Sequence, residues 1–157
     1  MDIRLLVMDV DGTLTDGKIY MGEQGEVFKA FSVKDGLGIG LLLPRHGILP
    51  VIITGRKSVI LTNRCREMNI NEIHQGIDDK SETLRAVAEK YNCDFSQIAY
   101  IGDDENDYEC MEMCGVKGCP ADSAESIKLL SDYVCLSNGG EGAVREFVEW
   151  LIGTVLD

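Results

Sequence analysis

Three short polar clusters stand out in the sequence because each directly follows an apolar stretch. They are DVDGT at 9–13, TGR at 54–56 and GDDEND at 102–107. In open α/β sheets, ligands bind in the crevice beyond the carboxyl ends of the strands, so we expect the three clusters to meet at one site. Lys80, which begins a predicted helix, adds a positive charge to the same set.

The chemistry that these residue types support is phosphoryl transfer. Several carboxylates gathered in one crevice repel one another unless a cation lies among them. Mg²⁺ suits such a site, because it binds a few carboxylates and keeps positions for water and for a substrate phosphate. Thr54 and Lys80 offer a hydroxyl and an ammonium group of the kind that bind phosphoryl oxygens.

Asp9 and Asp11 are separated by one residue, and this spacing allows them two different roles. A carboxylate can attack phosphorus and form an acyl phosphate, which divides a slow hydrolysis into two faster steps. A second acid must then protonate the leaving alcohol and later accept a proton from water. Gly12 leaves room for a phosphate to approach the backbone N–H groups. Taken alone, DVDG also fits a plain turn, because aspartate and glycine favour turns.

Apolar and helical segments alternate along the chain and predict the scaffold for this site. The predicted strands are 3–8, 49–53, 72–75, 98–101 and a short one near 116. The predicted helices are 37–43, ending near Pro44 and Gly47, then 58–68, 80–91, 108–113, 124–130 and 142–152. A β-hairpin is predicted within 18–31, where two glycines interrupt an alternating pattern. Strands that alternate with helices are typical of an α/β fold whose mainly parallel sheet carries helices on both faces.

Length and charge restrict the classes of protein. For 157 residues we expect a single domain, 1–157, with one core. The net charge of −12 and the lack of a block rich in lysine or arginine argue against nucleic acid as a partner. No apolar run is long enough to span a bilayer and no export signal is visible, so we expect a cytoplasmic protein without a membrane partner. The six cysteines are then expected to stay reduced.

The order DVDGT, TGR, Lys80 and GDDEND resembles the haloacid dehalogenase superfamily of aspartate-nucleophile phosphatases. The resemblance implies a Rossmannoid three-layer α/β fold with Mg²⁺ as cofactor. It also implies a role for each polar residue of the motifs. Asp9 is the nucleophile and Asp11 the general acid and base; Mg²⁺ is held by the Asp9 carboxylate, the Asp11 carbonyl and Asp103; Thr54, Gly55 and Lys80 bind the phosphoryl group; and Asp104 and Asp107 lie at or behind the metal.

The spaces between the motifs leave no room for the cap domain that many members of this superfamily carry. The hairpin, SVKDGLGI at 32–39 and the tail 138–153, which contains NGGEGAVREFVEWL, are similar to the capless 3-deoxy-octulosonate 8-phosphate phosphatase subfamily, including its relatives that act on nine-carbon sugar acids. This likeness implies a small phosphorylated sugar acid as substrate. It also implies a homotetramer in which the hairpins pack together and a neighbouring subunit helps to close each active site.

Three residues are candidates for recognising the sugar acid. Arg56 in TGR matches the octulosonate enzymes and could pair with a substrate carboxylate. Glu141 argues against the octulosonate enzymes, because this chain has GGEG where those enzymes tend to have GGRG. Arg145 fits either a substrate contact or an ordinary surface position on the last helix. The sequence therefore leaves open whether the acid has eight or nine carbons.

Clustered acids, a threonine and a lysine also occur in phospho-aspartate signalling receivers, which retain phosphate rather than turn it over. In a receiver the lysine comes last, whereas Lys80 precedes GDDEND here. A broad-range small-molecule phosphatase would carry the same motifs, and so could a regulatory domain that has lost its activity. The intact set of Asp9, Asp11, Lys80 and Asp103 argues against the regulatory domain.

Overall fold

The centre of the molecule is a parallel sheet of six strands. The computed structural model describes residues 1–156, the last two of them by backbone only. The strands of the described residues are β1 (Leu5–Met8), β2 (Tyr20–Gly22), β3 (Gly25–Phe28), β4 (Leu49–Ile53), β5 (Glu72–His74), β6 (Ile98–Ile101), β7 (Val116–Cys119) and β8 (Tyr133–Val134). All but β2 and β3 form the sheet, in the order β5-β4-β1-β6-β7-β8 and with every pair parallel.

Helices cover both faces of this sheet. They are α1 (Val33–Leu37), α2 (Leu43–Arg45), α3 (Val59–Glu67), α4 (Lys80–Lys90), α5 (Glu105–Met113), α6 (Glu125–Leu130) and α7 (Ala143–Leu151), with a 3₁₀ turn at Phe95–Gln97 and π-helical turns at Gly38–Leu42 and Ile152–Leu156. The prediction of an α/β fold with a mainly parallel sheet is confirmed. None of the helices in residues 1–156 has the length and apolar character needed to cross a bilayer.

The central strands are continuous apolar runs because both of their faces are buried. Leu6 and Met8 of β1 belong to the core on one face of the sheet, which includes α7, while Leu5 and Val7 belong to the core on the other face, which includes α4 and α5. The side chains of β6 are distributed between the two cores in the same way, because successive side chains of a strand point to opposite faces of the sheet. Burial of each such side chain contributes about 1.5–3 kcal/mol of transfer free energy.

The predicted hairpin is present as β2 and β3, which pair antiparallel outside the main sheet. The Tyr20 and Phe28 rings stack with centroids 4.3 Å apart. The Tyr20 hydroxyl donates to Asp16 Oδ2 at 3.0 Å, which ties the hairpin to the loop after β1. Large apolar side chains on the hairpin remain in solvent, with Met21 64% and Val27 57% exposed.

The prediction of a helix over 37–43 that ends near Pro44 and Gly47 was wrong at its start, which lies at Val33, whereas the helix does end between these two residues, at Arg45. The helical segment starts at α1, where the Ser32 hydroxyl accepts a hydrogen bond from the Asp35 N–H, and it runs through the π-helical turn into α2. Proline lacks an N–H and clashes with the carbonyl four residues earlier, so it normally interrupts a helix. Here the Leu43 N–H bonds to Gly38 O, five residues back, and this wider turn accommodates Pro44 within the helix.

Asp35 is a buried residue of α1 that links this helix to α7. It is 1% exposed, and its Oδ1 accepts the backbone N–H of Arg145 at 2.9 Å. The second oxygen, Oδ2, is buried and has no hydrogen-bond partner among the described residues. Burial raises the pKa of Asp35 to about 6, although the Arg145 N–H and the nearby Arg64 favour the charged form. The ionised carboxylate therefore carries a desolvation cost that these two contacts offset only in part.

The raised pKa of Asp35 predicts a specific dependence of stability on pH. Because the folded-state pKa of about 6 exceeds the ordinary value of 3.8, the folded protein binds more protons in this window, and its stability falls as the pH rises through it. Relative to Asp35→Asn, the wild type should lose about 3 kcal/mol of unfolding free energy across that window. Urea unfolding of both proteins between pH 4 and 7 measures this difference. Asp78→Asn, which removes an exposed carboxylate, is the control, and a difference that does not vary with pH would contradict the prediction.

Candidate active site

The three polar clusters meet where β4, β1 and β6 end. These strands are neighbours in the sheet, so their parallel carboxyl ends bring the clusters to the same edge. There they surround a pocket of about 270 Å³. The residues lining it are Asp9, Asp11, Gly17, Thr54, Gly55, Arg56, Asp103, Asp104 and Asn106. The structure thus brings most of the predicted site residues to one pocket.

Lys80 lies beneath this pocket, between two buried carboxylates. Its Nζ donates to Asp9 Oδ1 and to Asp107 Oδ1, both at 2.9 Å, and the lysine is only 4% exposed. The Tyr100 hydroxyl also donates to Asp107 Oδ1, at 2.7 Å. Lys80 can occupy this position because it is the first residue of α4, whose preceding residue, Asp79, caps the helix by accepting the Glu82 N–H.

Asp103 lies close to Asp9 and Asp107, and the three carboxylates form a single cluster. One oxygen from each lies within 4.8 Å of the others. The Thr13 hydroxyl donates to Asp103 Oδ1 at 3.1 Å. Gly12 makes this approach possible: it has a φ of +91°, and a Cβ atom there would lie 2.0 Å from Asp103 Oδ2. Any residue with a side chain at position 12 would therefore displace Asp103.

Crowding of the carboxylates changes how readily they ionise. Burial raises the pKa of Asp9 well above its usual value, and the charge of Asp107 adds to this effect while Lys80 opposes it. Burial likewise raises the pKa of Asp103, to about 6, with a further contribution from the charge of Asp107. For Lys80, burial lowers the pKa, but the two neighbouring carboxylates outweigh it, so the net shift is upward. The lysine stays charged and leaves the cluster with excess negative charge.

The donor set of this cluster fits a hard divalent cation. Its candidate ligands are carboxylate oxygens, which Mg²⁺ prefers. A cation among them would also offset the repulsion that raises the pKa of Asp9 and Asp103. Asp107 is the least available of the three carboxylates, because it already accepts from Lys80, from Tyr100 and from the Asp103 N–H at 3.0 Å. Asp9 and Asp103 are thus the side chains best placed to hold a metal.

The Asp11 side chain lines the pocket but contacts a residue that the sequence motifs did not single out. Lys29 Nζ is 2.6 Å from Asp11 Oδ1 and 2.9 Å from Glu26 Oε2. Burial lowers the pKa of Lys29, but hydrogen bonds to the two carboxylates outweigh it and raise the pKa overall. Lys29 follows β3, and only the folding back of the hairpin brings it to Asp11. No spacing within the sequence could have indicated that contact.

Thr54, Gly55 and Arg56 extend from the end of β4 to the rim of the pocket. Thr54 is 2% exposed, and its N–H donates to His74 O at 2.9 Å, which fixes it at the end of the strand. Gly55 and Arg56 are exposed pocket residues. Arg56 thus places a positive charge where the pocket opens to solvent.

Asp104 and Asp107 lie at the start of α5 and share one local arrangement. Asp104 caps the helix, and Asp107 completes a capping box with it. This pair begins α5 at Glu105, three residues before the predicted start. Asp104 lines the pocket and is exposed, whereas Asp107 is fully buried.

The glycine-rich tail packs against the loop that follows β1. A Cβ atom at Gly139 would lie 2.0 Å from Gly12 O, and the Gly140 N–H donates to Thr13 O at 3.2 Å. Glu141 is exposed and does not line the pocket. Arg145 also lies away from it, because its Nε donates to Glu149 and its Nη1 to Lys34 O. The tail supports the site through its backbone, and the structure brings neither candidate side chain to the pocket.

The site combines two aspartates after β1, a threonine after β4, an aspartate after β6 and a buried lysine at the edge of a parallel sheet. This combination is typical of aspartate-dependent hydrolases of phosphate esters or related compounds. The profile of the haloacid dehalogenase-like hydrolases matches residues 60–147. The chain is 42% identical over 151 residues to the 3-deoxy-D-manno-octulosonate 8-phosphate phosphatase KdsC of Escherichia coli K12. The aligned region covers 96% of this chain and 80% of the relative. The chain belongs to the haloacid dehalogenase-like hydrolases.

Solved structures give the same relationship. The phosphatase of the same name from Moraxella catarrhalis, in complex with magnesium ion, phosphate ion and a KDO molecule, is 40% identical and superposes with a TM-score of 0.92, covering 97% of this chain and 87% of that one. The cobalt-bound deoxy-D-mannose-octulosonate 8-phosphate phosphatase from Haemophilus influenzae is 34% identical, with a TM-score of 0.93 over 97% of this chain and 88% of that one. The predicted family and fold are confirmed, and the interpretation as a signalling receiver is set aside.

Proposed function

We propose that this protein is a Mg²⁺-dependent phosphomonoesterase that hydrolyses 3-deoxy-D-manno-octulosonate 8-phosphate through a phosphorylated Asp9. The observation that carries the proposal is the pocket lined by Asp9, Asp11 and Arg56, in which Asp9 accepts a hydrogen bond from the buried Lys80. The activity named for relatives that are 42% identical supports the same substrate.

Hydrolysis would proceed in two displacements at phosphorus. In the first, an Asp9 oxygen forms a bond to phosphorus while the ester P–O bond breaks, and Asp11 gives a proton to the departing sugar alcohol. In the second, water attacks the acyl phosphate, Asp11 accepts the proton of that water, and Asp9 is released with inorganic phosphate. Each step leaves the enzyme ready for the next, and the full cycle consumes one water.

The remaining residues would bind and orient the phosphoryl group. Lys80 places a positive charge next to Asp9, and Thr54 and Gly55 offer a hydroxyl and a backbone N–H at the end of β4. Asp9 and Asp103 would hold Mg²⁺, with the Asp11 carbonyl as the third protein ligand that the family resemblance implies. When bound, Mg²⁺ supplies positive charge that offsets the negative charge of the phosphoryl oxygens. Asp104 and Asp107 would fix the metal ligands from behind.

Arg56 is the residue that we assign to the carboxylate of the sugar acid. It lines the rim of the pocket, and guanidinium groups bind carboxylates through paired hydrogen bonds. This position favours the eight-carbon acid, whose phosphatases share TGR, over the nine-carbon acids. Because Glu141 and Arg145 lie outside the pocket of a single chain, either could contact the sugar only through a neighbouring subunit or a rearranged tail.

We also propose that the single domain 1–157 forms a homotetramer through its hairpins. Met21, Val27 and Phe28 are between 51% and 64% exposed, and such apolar side chains favour contact with another protein surface. The site is open to solvent on one side, and a neighbouring subunit would close it. We place the protein in the cytoplasm, where its six free and buried cysteines would stay reduced.

Phosphate release with three substrates tests the proposed function. We expect rapid release from octulosonate 8-phosphate in the presence of Mg²⁺, slower release from nonulosonate 9-phosphates, and the slowest release from a generic aryl phosphate. EDTA should stop all three, because the carboxylate cluster then lacks its cation. Restoring Mg²⁺ should restore the rates, which separates metal removal from unfolding.

The same measurement can overturn parts of the proposal in three distinct ways. Equal and slow rates on all three substrates would leave a broad-range phosphatase in place of the sugar-acid enzyme. A preference for a nonulosonate 9-phosphate would replace the eight-carbon acid by the nine-carbon one. Undiminished release in EDTA would reject the role of Mg²⁺.

A further inference from the structure

Lys29 is an almost fully buried cation that the proposed chemistry does not yet use. Its side chain is 3% exposed and contacts two carboxylates, Asp11 at 2.6 Å and Glu26 at 2.9 Å. Glu26 is a residue of β3, three positions before Lys29, and its side chain is 10% exposed. The ammonium group is thus held from both sides, and a long side chain with two fixed contacts has little freedom to move.

The contact engages only one of the two oxygens of Asp11. Lys29 binds Oδ1, whereas Oδ2 makes no hydrogen bond to any other residue within 1–156. The Asp11 side chain is 20% exposed and lines the pocket, together with Asp9. One oxygen is therefore anchored to the hairpin, and the other is left for a group that enters the pocket.

We propose that Lys29 is a positioning residue for the hydrolysis, which anchors Oδ1 of Asp11 so that Oδ2 transfers the proton. The inference rests on the proposed function, in which Asp11 protonates the leaving alcohol and later deprotonates water. In the first step the proton moves from Asp11 to the ester oxygen as the P–O bond breaks. In the second it returns to Asp11 from the attacking water. Lys29 itself gains and loses no proton, and Glu26 keeps it in place.

If Lys29 positions Asp11, its loss should slow the steps in which Asp11 transfers a proton and leave the other steps unchanged. An alkyl alcohol needs a proton as it leaves, so loss of the Asp11 orientation slows its departure. A nitrophenolate ion leaves without a proton, so the attack of Asp9 on nitrophenyl phosphate does not depend on Asp11. A purely structural role for Lys29 in docking the hairpin would instead disturb the pocket for both substrates alike.

Rapid-mixing kinetics of Lys29→Met, with Mg²⁺ bound, separate these steps. We expect kcat for octulosonate 8-phosphate to fall about 10²-fold, which is the lower end of the usual contribution of a general acid or base. The initial burst of nitrophenolate, which reports phosphorylation of Asp9, should keep its rate within about threefold. Lys34→Met removes an exposed lysine of α1 and should leave both rates unchanged. A burst that slows as much as kcat would overturn the inference.

A double-mutant cycle with Asp11→Asn gives an independent test. If Lys29 acts only through Asp11, then adding Lys29→Met to Asp11→Asn should lower kcat by less than about threefold further. An additional loss as large as in the wild-type background would show that Lys29 acts elsewhere. The proposed function fails separately: in that case the wild-type protein itself would release no phosphate from either substrate.

Discussion

Replacing Asp9 with asparagine is expected to reduce phosphate release by about 10⁴-fold or more while leaving the protein folded. The amide cannot form the acyl phosphate, so neither displacement can begin. The stability change should be opposite in sign to the activity change. Because burial and Asp107 raise the pKa of Asp9, its ionised form is unfavourable in the metal-free protein, and a neutral side chain removes that cost. Thermal unfolding in EDTA should give a Tm no lower than that of the wild type.

Added Mg²⁺ completes this test. It should raise the Tm of the wild type more than that of Asp9→Asn, since the variant has lost a charged metal ligand. Asp132→Asn is the matched control, because Asp132 precedes β8 at the far edge of the sheet and is exposed. It should retain full turnover. Turnover by Asp9→Asn would reject the covalent mechanism, and an unfolded variant in EDTA would reject the electrostatic argument.

Lys80→Met is expected to cause the largest loss of stability of any substitution at the site. Lys80 is the cation between Asp9 and Asp107, and methionine leaves both buried carboxylates without it. Removing one partner of a buried ion pair costs about 3–5 kcal/mol. Activity should fall about 10²-fold or more, because the positive charge beside the phosphoryl group is lost. Urea unfolding in EDTA and phosphate release with Mg²⁺ measure the two effects.

Two further variants make the Lys80 result interpretable. Lys90→Met changes a lysine of the same helix whose side chain is 60% exposed and pairs with Glu72, and it should cost about 1 kcal/mol or less. Combining Lys80→Met with Asp9→Asn removes one of the two unpaired charges and should recover part of the lost stability. If Lys80→Met proves as stable as Lys90→Met, the buried ion pairs do not stabilise this fold.

The central strands could be predicted from the sequence, because a short continuous apolar run is what burial on both faces of a sheet requires. Strands β1, β4 and β6 are buried on both faces, so they must be short continuous apolar runs, and the sequence shows them as such. The π-helical turn before Pro44 could not be predicted in this way. Proline usually ends a helix, and only packing across the whole domain decides that a wider turn absorbs it.

Some residues of the candidate site could be predicted from the sequence and others could not. Asp9, Thr54 and Asp103 follow adjacent parallel strands, so topology alone brings them together. Lys29 reaches Asp11 through a hairpin outside the main sheet, and no rule of spacing connects the two residues. For Arg145 the sequence left open a substrate contact or an ordinary surface position, and within the single chain its backbone and side chain engage α1 and α7.

The packing of the tail on the first loop has a consequence for how the protein is made. During translation the DVDGT segment emerges before every strand from β2 onward, whereas Gly139 and Gly140, which pack against that loop, emerge only after β8. The β6 end that carries Asp103 also arrives late. Under the proposed mechanism, a growing chain therefore carries Asp9 without the surroundings that would make it reactive until these later segments have emerged. We expect no hydrolysis by a nascent chain before the tail has packed on the first loop.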